Sequence, residues 1–99
     1  MTSTNDLNEQ LLLATKEGDT DAVKSLVAQG ADVNVKDKEK ATPLMRSVSR
    51  DYTEIVKILL EKGADVNAKN DWDYTPLKYA IKLKLKDMEQ MLRDAGATE

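Results

Sequence analysis

The sequence contains no cysteine and no histidine. Without cysteine there is neither a disulfide nor a thiolate zinc site, and without histidine the commonest metal ligand and the commonest general base are also missing. Most enzyme mechanisms are disfavoured by these two absences alone. Glycine is scarce as well: Gly18, Gly30, Gly63 and Gly96 are too dispersed to cradle a phosphate, and no GxxxxGK, GxGxxG, HExxH or GxSxG pattern occurs. There is no excess of positive charge, the formal net charge being −3. Proteins that neutralise phosphates usually carry a clear surplus of Lys and Arg, so a nucleic-acid partner is not expected. The stretch Met1–Asp6 has neither a basic n-region nor an apolar core, and its second residue is not Gly. Neither a signal peptide nor myristoylation is indicated, and a cytoplasmic location is the expectation.

What is present describes a soluble, folded chain. Hydrophobic residues make up 40% and charged residues 33%, too apolar for disorder and too polar for a membrane protein. A single domain of 99 residues buries only roughly 60–65% of its unfolded surface, which leaves a thin stability margin.

The decisive feature is an internal repeat. Gly30-Ala31-Asp32-Val33-Asn34 recurs as Gly63-Ala64-Asp65-Val66-Asn67, and Gly96-Ala97 opens a further copy, with a constant offset of 33 residues. Thr42-Pro43-Leu44 recurs at the same offset as Thr75-Pro76-Leu77, and Leu11 falls in register with both leucines. A third block agrees: Asp21-Ala22-Val23 to Leu26, Glu54-Ile55-Val56 to Leu59 and Asp87-Met88-Glu89 to Leu92.

Within one period the residues specify two helices and a loop. Thr42 is placed to cap a helix with its hydroxyl, and Pro43 at the first helical position loses an amide that had no partner anyway. Leu44, Ser47 and Val48 then supply a short inner face until Arg50-Asp51-Tyr52 interrupts it. Ile55, Val56, Ile58, Leu59 and Leu60 form a second, more hydrophobic helix, which Gly63 ends by taking a left-handed conformation. Ala64 to Ala68 is too short and polar for another helix, and Lys69-Asn70-Asp71 reads as a turn in a projecting loop. Leu44 and Leu59 should meet in the central unit between Leu11 and Leu26 on one side and Leu77 and Leu92 on the other.

These blocks resemble the ankyrin repeat, with its T-P-L start, period of 33 and G-A-D-V-N segment leading into a β-hairpin finger. The resemblance spans about residues 7 to 99. It implies an all-α repeat solenoid: a stack of helix–turn–helix units joined by β-hairpin-like finger loops. The expected division is a tail over 1–6, an N-terminal capping repeat over 7–36, a central repeat over 37–69 and a C-terminal capping repeat over 70–99. Several positions depart from the family pattern. Lys40 and Asp73 stand where glycine usually precedes the T-P-L threonine by two residues, which predicts slightly strained finger turns. Met45 and Lys78 replace the usual histidine, removing a hydrogen-bonding side chain from each repeat. Glu9-Gln10-Leu11 replaces T-P-L, Lys84-Leu85-Lys86 opens the last helix, and Arg93 takes an otherwise apolar position, as expected of terminal caps whose outer faces meet water.

Other candidate motifs have simpler structural readings. Asp32-x-Asn34 and Asp65-x-Asn67 have the opening spacing of a calcium loop, but Lys36 and Lys69 occupy the next ligand position and the central glycine is absent. Their side chains are expected to tie down the finger backbone instead. Asp19 and Asp21 form a carboxylate pair better explained as a helix cap and first-turn charge than as an acid and base. Lys78, Lys82, Lys84 and Lys86 form a basic cluster, for which a solvated cap helix is the preferred reading over a binding patch. Only Tyr79 is interleaved with them, so stacking on bases is not indicated.

In proteins of the resembled family, partners lie against the finger tips and the concave face of the first helices. Carried over residue by residue, this implies Lys36, Lys38, Glu39 and Ala41 on one finger and Lys69, Asp71, Trp72 and Tyr74 on the next. On the first helices it implies Lys16, Glu17, Ser49, Arg50 and Lys82. Trp72 and Tyr74 stand out, because large amphipathic aromatics are over-represented among binding hot spots and the chain has only four aromatics. The alternative is that both pack on the neighbouring finger. The expected function is a non-catalytic interaction module or adaptor that binds a protein, as a monomer, with no cofactor, metal, nucleic acid or membrane. The competing readings are an inert or engineered scaffold without a dedicated partner and, further off, an enzyme with a site built from Asp, Glu, Lys or Tyr alone.

Overall fold

Helix starts follow the caps. In a computed structural model that describes residues 3–98, Thr42 and Thr75 each accept a hydrogen bond from the amide three residues on, Met45 N at 3.3 Å and Lys78 N at 3.1 Å. They open α3 (Pro43–Ser49) and α5 (Pro76–Lys82), both with proline in the first turn. Asp19 does the same for α2 (Thr20–Ala28) by accepting from Ala22 N. Ser3 caps α1 (Thr4–Glu17), so helix already occupies part of the 1–6 segment expected to be a tail. A serine at the cap and Asp6 in the first turn are a sufficient local reason. The second helices α4 (Thr53–Glu61) and α6 (Lys86–Asp94) start at Tyr52 and Leu85 with no side-chain cap and are held by their packing.

The helices stack as three antiparallel pairs, α1 with α2, α3 with α4 and α5 with α6, and α1, α3 and α5 pack successively on one another. The result is elongated, 41 × 25 × 22 Å, as expected where each unit touches only its neighbours. One apolar cluster runs through it. Leu11, Leu44, Leu59, Leu77 and Leu92 are completely buried and Leu26 nearly so, which is the leucine sandwich the repeat register predicts. Full burial of one such side chain contributes about 1.5–3 kcal/mol.

Gly63 ends the central helix pair with φ 88°, the left-handed region that a β-branched side chain tolerates worst. Lys40 and Asp73 adopt φ of 61° and 60° in their finger turns, so the strain expected from the missing glycines is present. The fingers form no β-strand among the described residues. They are tight turns, too short for a ladder. Asp37 N donates to Ala41 O at 3.0 Å in the first and Asn70 N to Tyr74 O at 3.1 Å in the second, while Asp71 N crosses to Glu39 O at 2.9 Å and joins the two.

A second set of contacts keeps the loops in register. Asp32 and Asp65 each accept the amide two residues on, from Asn34 and Asn67, at 2.8 and 2.9 Å. Asparagine side chains then tie the loops: Asn8 Oδ1 accepts from Asp32 N within the first repeat at 2.7 Å, and across repeats Asn34 Oδ1 accepts from Asp65 N at 2.7 Å and Asn67 Oδ1 from Thr98 N at 3.0 Å.

Candidate functional site

The first finger is organised by Asp37. Its Oδ1 accepts the amides of Glu39 and Ala41 at 2.8 and 3.0 Å, closing the turn from within. Its Oδ2 receives Arg46 Nη2 at 2.7 Å and Nε at 3.1 Å, and the same Nη2 donates to Glu39 Oε1 at 2.9 Å. Arg46 comes from α3, so the guanidinium pins the finger to the helix behind it. Burial raises the Asp37 carboxyl, but the hydrogen bonds from Arg46, Ala41 and Glu39 and the guanidinium charge together hold it below its ordinary value.

In the second finger Asn70 replaces Asp37 one period on. Its Oδ1 accepts Trp72 N at 2.9 Å and Tyr74 N at 3.0 Å, and its Nδ2 donates to the Tyr79 hydroxyl at 2.8 Å. Tyr79 lies one period after Arg46. The same brace is therefore built twice, once ionic and once neutral.

The expected interaction residues separate into two groups. Lys16, Lys36, Lys38, Glu39 and Arg50 line one open groove of about 830 Å³ between α1 and the first finger. Tyr74 and Lys82 form the other group: Lys82 Nζ donates to the Tyr74 hydroxyl at 2.9 Å. That hydrogen bond and the ammonium charge lower the Tyr74 phenol, and the same bond raises the Lys82 ammonium. The Tyr74 ring rests against Tyr79 with centroids 5.0 Å apart, so Tyr74 is half-buried by a neighbour within its own repeat. Trp72 is 61% exposed at the finger tip. Asp71, Lys69 and Glu17 are exposed, whereas Ser49 is half-buried and donates its hydroxyl to Arg46 O. Ala41 is the exception on the fingers. It is only 3% exposed, packed with Met45 and Ala68, and offers a partner no side-chain surface.

A family model for ankyrin repeats, in three copies, matches residues 11–98. The chain belongs to the ankyrin-repeat family. No curated protein sequence matches it. In this ankyrin stack no group of three or more His, Cys, Asp or Glu side chains among the described residues is placed to hold a metal ion. No helix among them is long and apolar enough to cross a membrane.

Two residues that matter to the ankyrin fingers, Arg46 and Asp37, are not singled out by the sequence, and Asn70 is marked there only as part of a turn. Their signal was present but weak. Asp37 with Arg46 and Asn70 with Tyr79 share one spacing, but the paired residues differ chemically, so no repeated letter marks them.

Proposed function

We propose that this ankyrin protein is a non-catalytic, monomeric interaction module of the cytoplasm, with repeats over 7–36, 37–69 and 70–99. It binds a protein partner through its finger tips and the concave face of α1, α3 and α5. The surface comprises Lys36, Lys38, Glu39, Lys69, Asp71, Trp72 and Tyr74 on the fingers and Lys16, Ser49, Arg50 and Lys82 on the helices. Ankyrin repeats are generally protein-interaction modules, which supports the class of function. The observation that carries the placement is the exposure of Trp72 on a finger that is otherwise tightly braced. A rigid loop presenting a large amphipathic ring loses little conformational freedom on binding. An inert scaffold has no need of such a residue there.

The test is affinity capture with three baits: wild type, Trp72→Ala, and Lys57→Ala on the exposed outer side of α4. A partner retained by wild type and Lys57→Ala but weakened by about 2 kcal/mol or more in Trp72→Ala supports the comb. Equal weakening by both substitutions contradicts it.

A further inference from the structure

Successive fingers are joined by Asp71 N donating to Glu39 O. One period earlier the equivalent donor is Lys38 N, which makes no hydrogen bond among the described residues. The reason is topological. The segment that would supply the acceptor is helix α1, not a finger. The space left beside the first finger is the groove already described, and its floor includes Leu12, Val35 and Leu13, the last 54% exposed. Its walls carry five cationic side chains against three anionic ones, on a chain of net charge −3. Arg46 is spent on Asp37 and Glu39. Lys16, Lys36, Lys38 and Arg50 remain exposed and make no ion pair among the described residues, and Glu9 is the one other acid in the lining.

We propose that this groove receives a short extended segment of the partner protein that is acidic and carries an apolar side chain. One of its backbone carbonyls accepts Lys38 N–H, its carboxylates face Lys16, Lys36, Lys38 and Arg50, and the apolar side chain covers Leu13. The proposal rests on the reading of the concave face as the protein-binding surface. A polynucleotide fits less well, because Glu9, Asp37 and Glu39 stand in the same groove and the chain as a whole repels phosphate.

The experiment is selection of the folded chain against a random twelve-residue peptide display library, followed by affinity measurements on synthetic copies of the enriched peptides. The expected winners are rich in Asp and Glu around an apolar residue. Lys16→Glu combined with Arg50→Glu should weaken them at least about tenfold and make the remaining affinity insensitive to salt. Lys38→Pro removes the amide at the second position of the Asp37–Lys40 turn, where proline is favoured. It should weaken them about fivefold beyond Lys38→Ala, which removes only the charge. If Lys38→Pro fails to fold by circular dichroism, the charge reversals decide alone. Neutral or basic winners, an empty selection, or acidic winners indifferent to the groove variants would overturn the proposal. So would tight binding of a single-stranded deoxythymidine 12-mer to the groove, or self-association abolished by the charge reversals. Winners lost in Trp72→Ala but not in the groove variants would overturn it while leaving the comb intact. Winners lost only on substitution at Lys57 would overturn both.

Discussion

The two fingers have nearly the same backbone and opposite chemistry. In the first, Asp37 closes the turn and is gripped by a guanidinium from α3; in the second, Asn70 closes the turn and is gripped by a phenol from α5. The positions match at one period, and so do the accepted amides, Glu39 and Ala41 against Trp72 and Tyr74. What the repeat requires is therefore an acceptor that closes the loop and a polar partner behind it, a donor in the first finger and an acceptor in the second, with no requirement for charge. The difference appears at the surface. The ionic brace leaves a polar, cation-rich groove beside finger one, and the neutral brace sets Tyr79 against Tyr74 in a finger whose Trp72 is exposed.

The largest effect should come from removing what both fingers stand on. Leu44→Ala or Leu59→Ala should cost about 2–5 kcal/mol, since each leucine is fully buried in the shared cluster. Both fingers should lose amide-exchange protection together. A loss confined to one finger would mean the stack is not one cooperative unit.

Next in size is the ionic brace. Arg46→Ala leaves Asp37 mostly buried without its cation and should cost about 1.5–3 kcal/mol, against about 0.5–1.5 kcal/mol for Tyr79→Phe. The sharper test is exchange of chemistry: Asp37→Asn with Arg46→Tyr should recover about 1 kcal/mol of the loss caused by Arg46→Tyr alone. Chemical denaturation of the four proteins in that cycle measures it. Zero coupling would show that the braces are not equivalent.

A smaller gain is expected at the turns. Lys40 and Asp73 both hold positive φ, but aspartate tolerates this conformation better than lysine. Lys40→Gly should stabilise by about 0.5–1 kcal/mol, the relief of strain exceeding the added freedom of the unfolded chain, and Asp73→Gly by less. Thermal melts showing the reverse order would contradict the account of strain.

The smallest effect is on pH. Because the folded chain holds Asp37 below its ordinary value of 3.8, its contribution is fully present above that value and is lost as pH falls through the lower, folded one. Melting curves below pH 4 should therefore fall more steeply for wild type than for Asp37→Asn. Identical acid profiles would remove the charge from the first brace.

Much of the fold was legible because its signals are local and periodic. Thr42 and Thr75 cap where the T-P-L blocks place them, Gly63 turns left-handed, and the leucines at register positions are buried. Less of the surface was legible, because exposure depends on what crosses between elements. Ala41 sits in a polar finger yet turns inward against Met45 and Ala68, and a lone alanine between a lysine and a threonine is a weak sign of burial. Tyr74 has two readings in the sequence, binding anchor or packing on the neighbouring finger; it packs instead on Tyr79 of its own repeat, and the ring stays half exposed. Asn8, the first rung of the asparagine ladder, lies outside the register of Asn34 and Asn67, so periodicity did not mark it.

The proposed interface consists of the braced fingers and the concave helices. Amide hydrogen exchange of the protein with and without its captured partner maps that interface. Binding should slow exchange in residues 36–41 and 69–74 and leave α2, α4 and α6 unchanged. Protection concentrated in α2, α4 and α6, with both fingers exchanging as in the free protein, would contradict it.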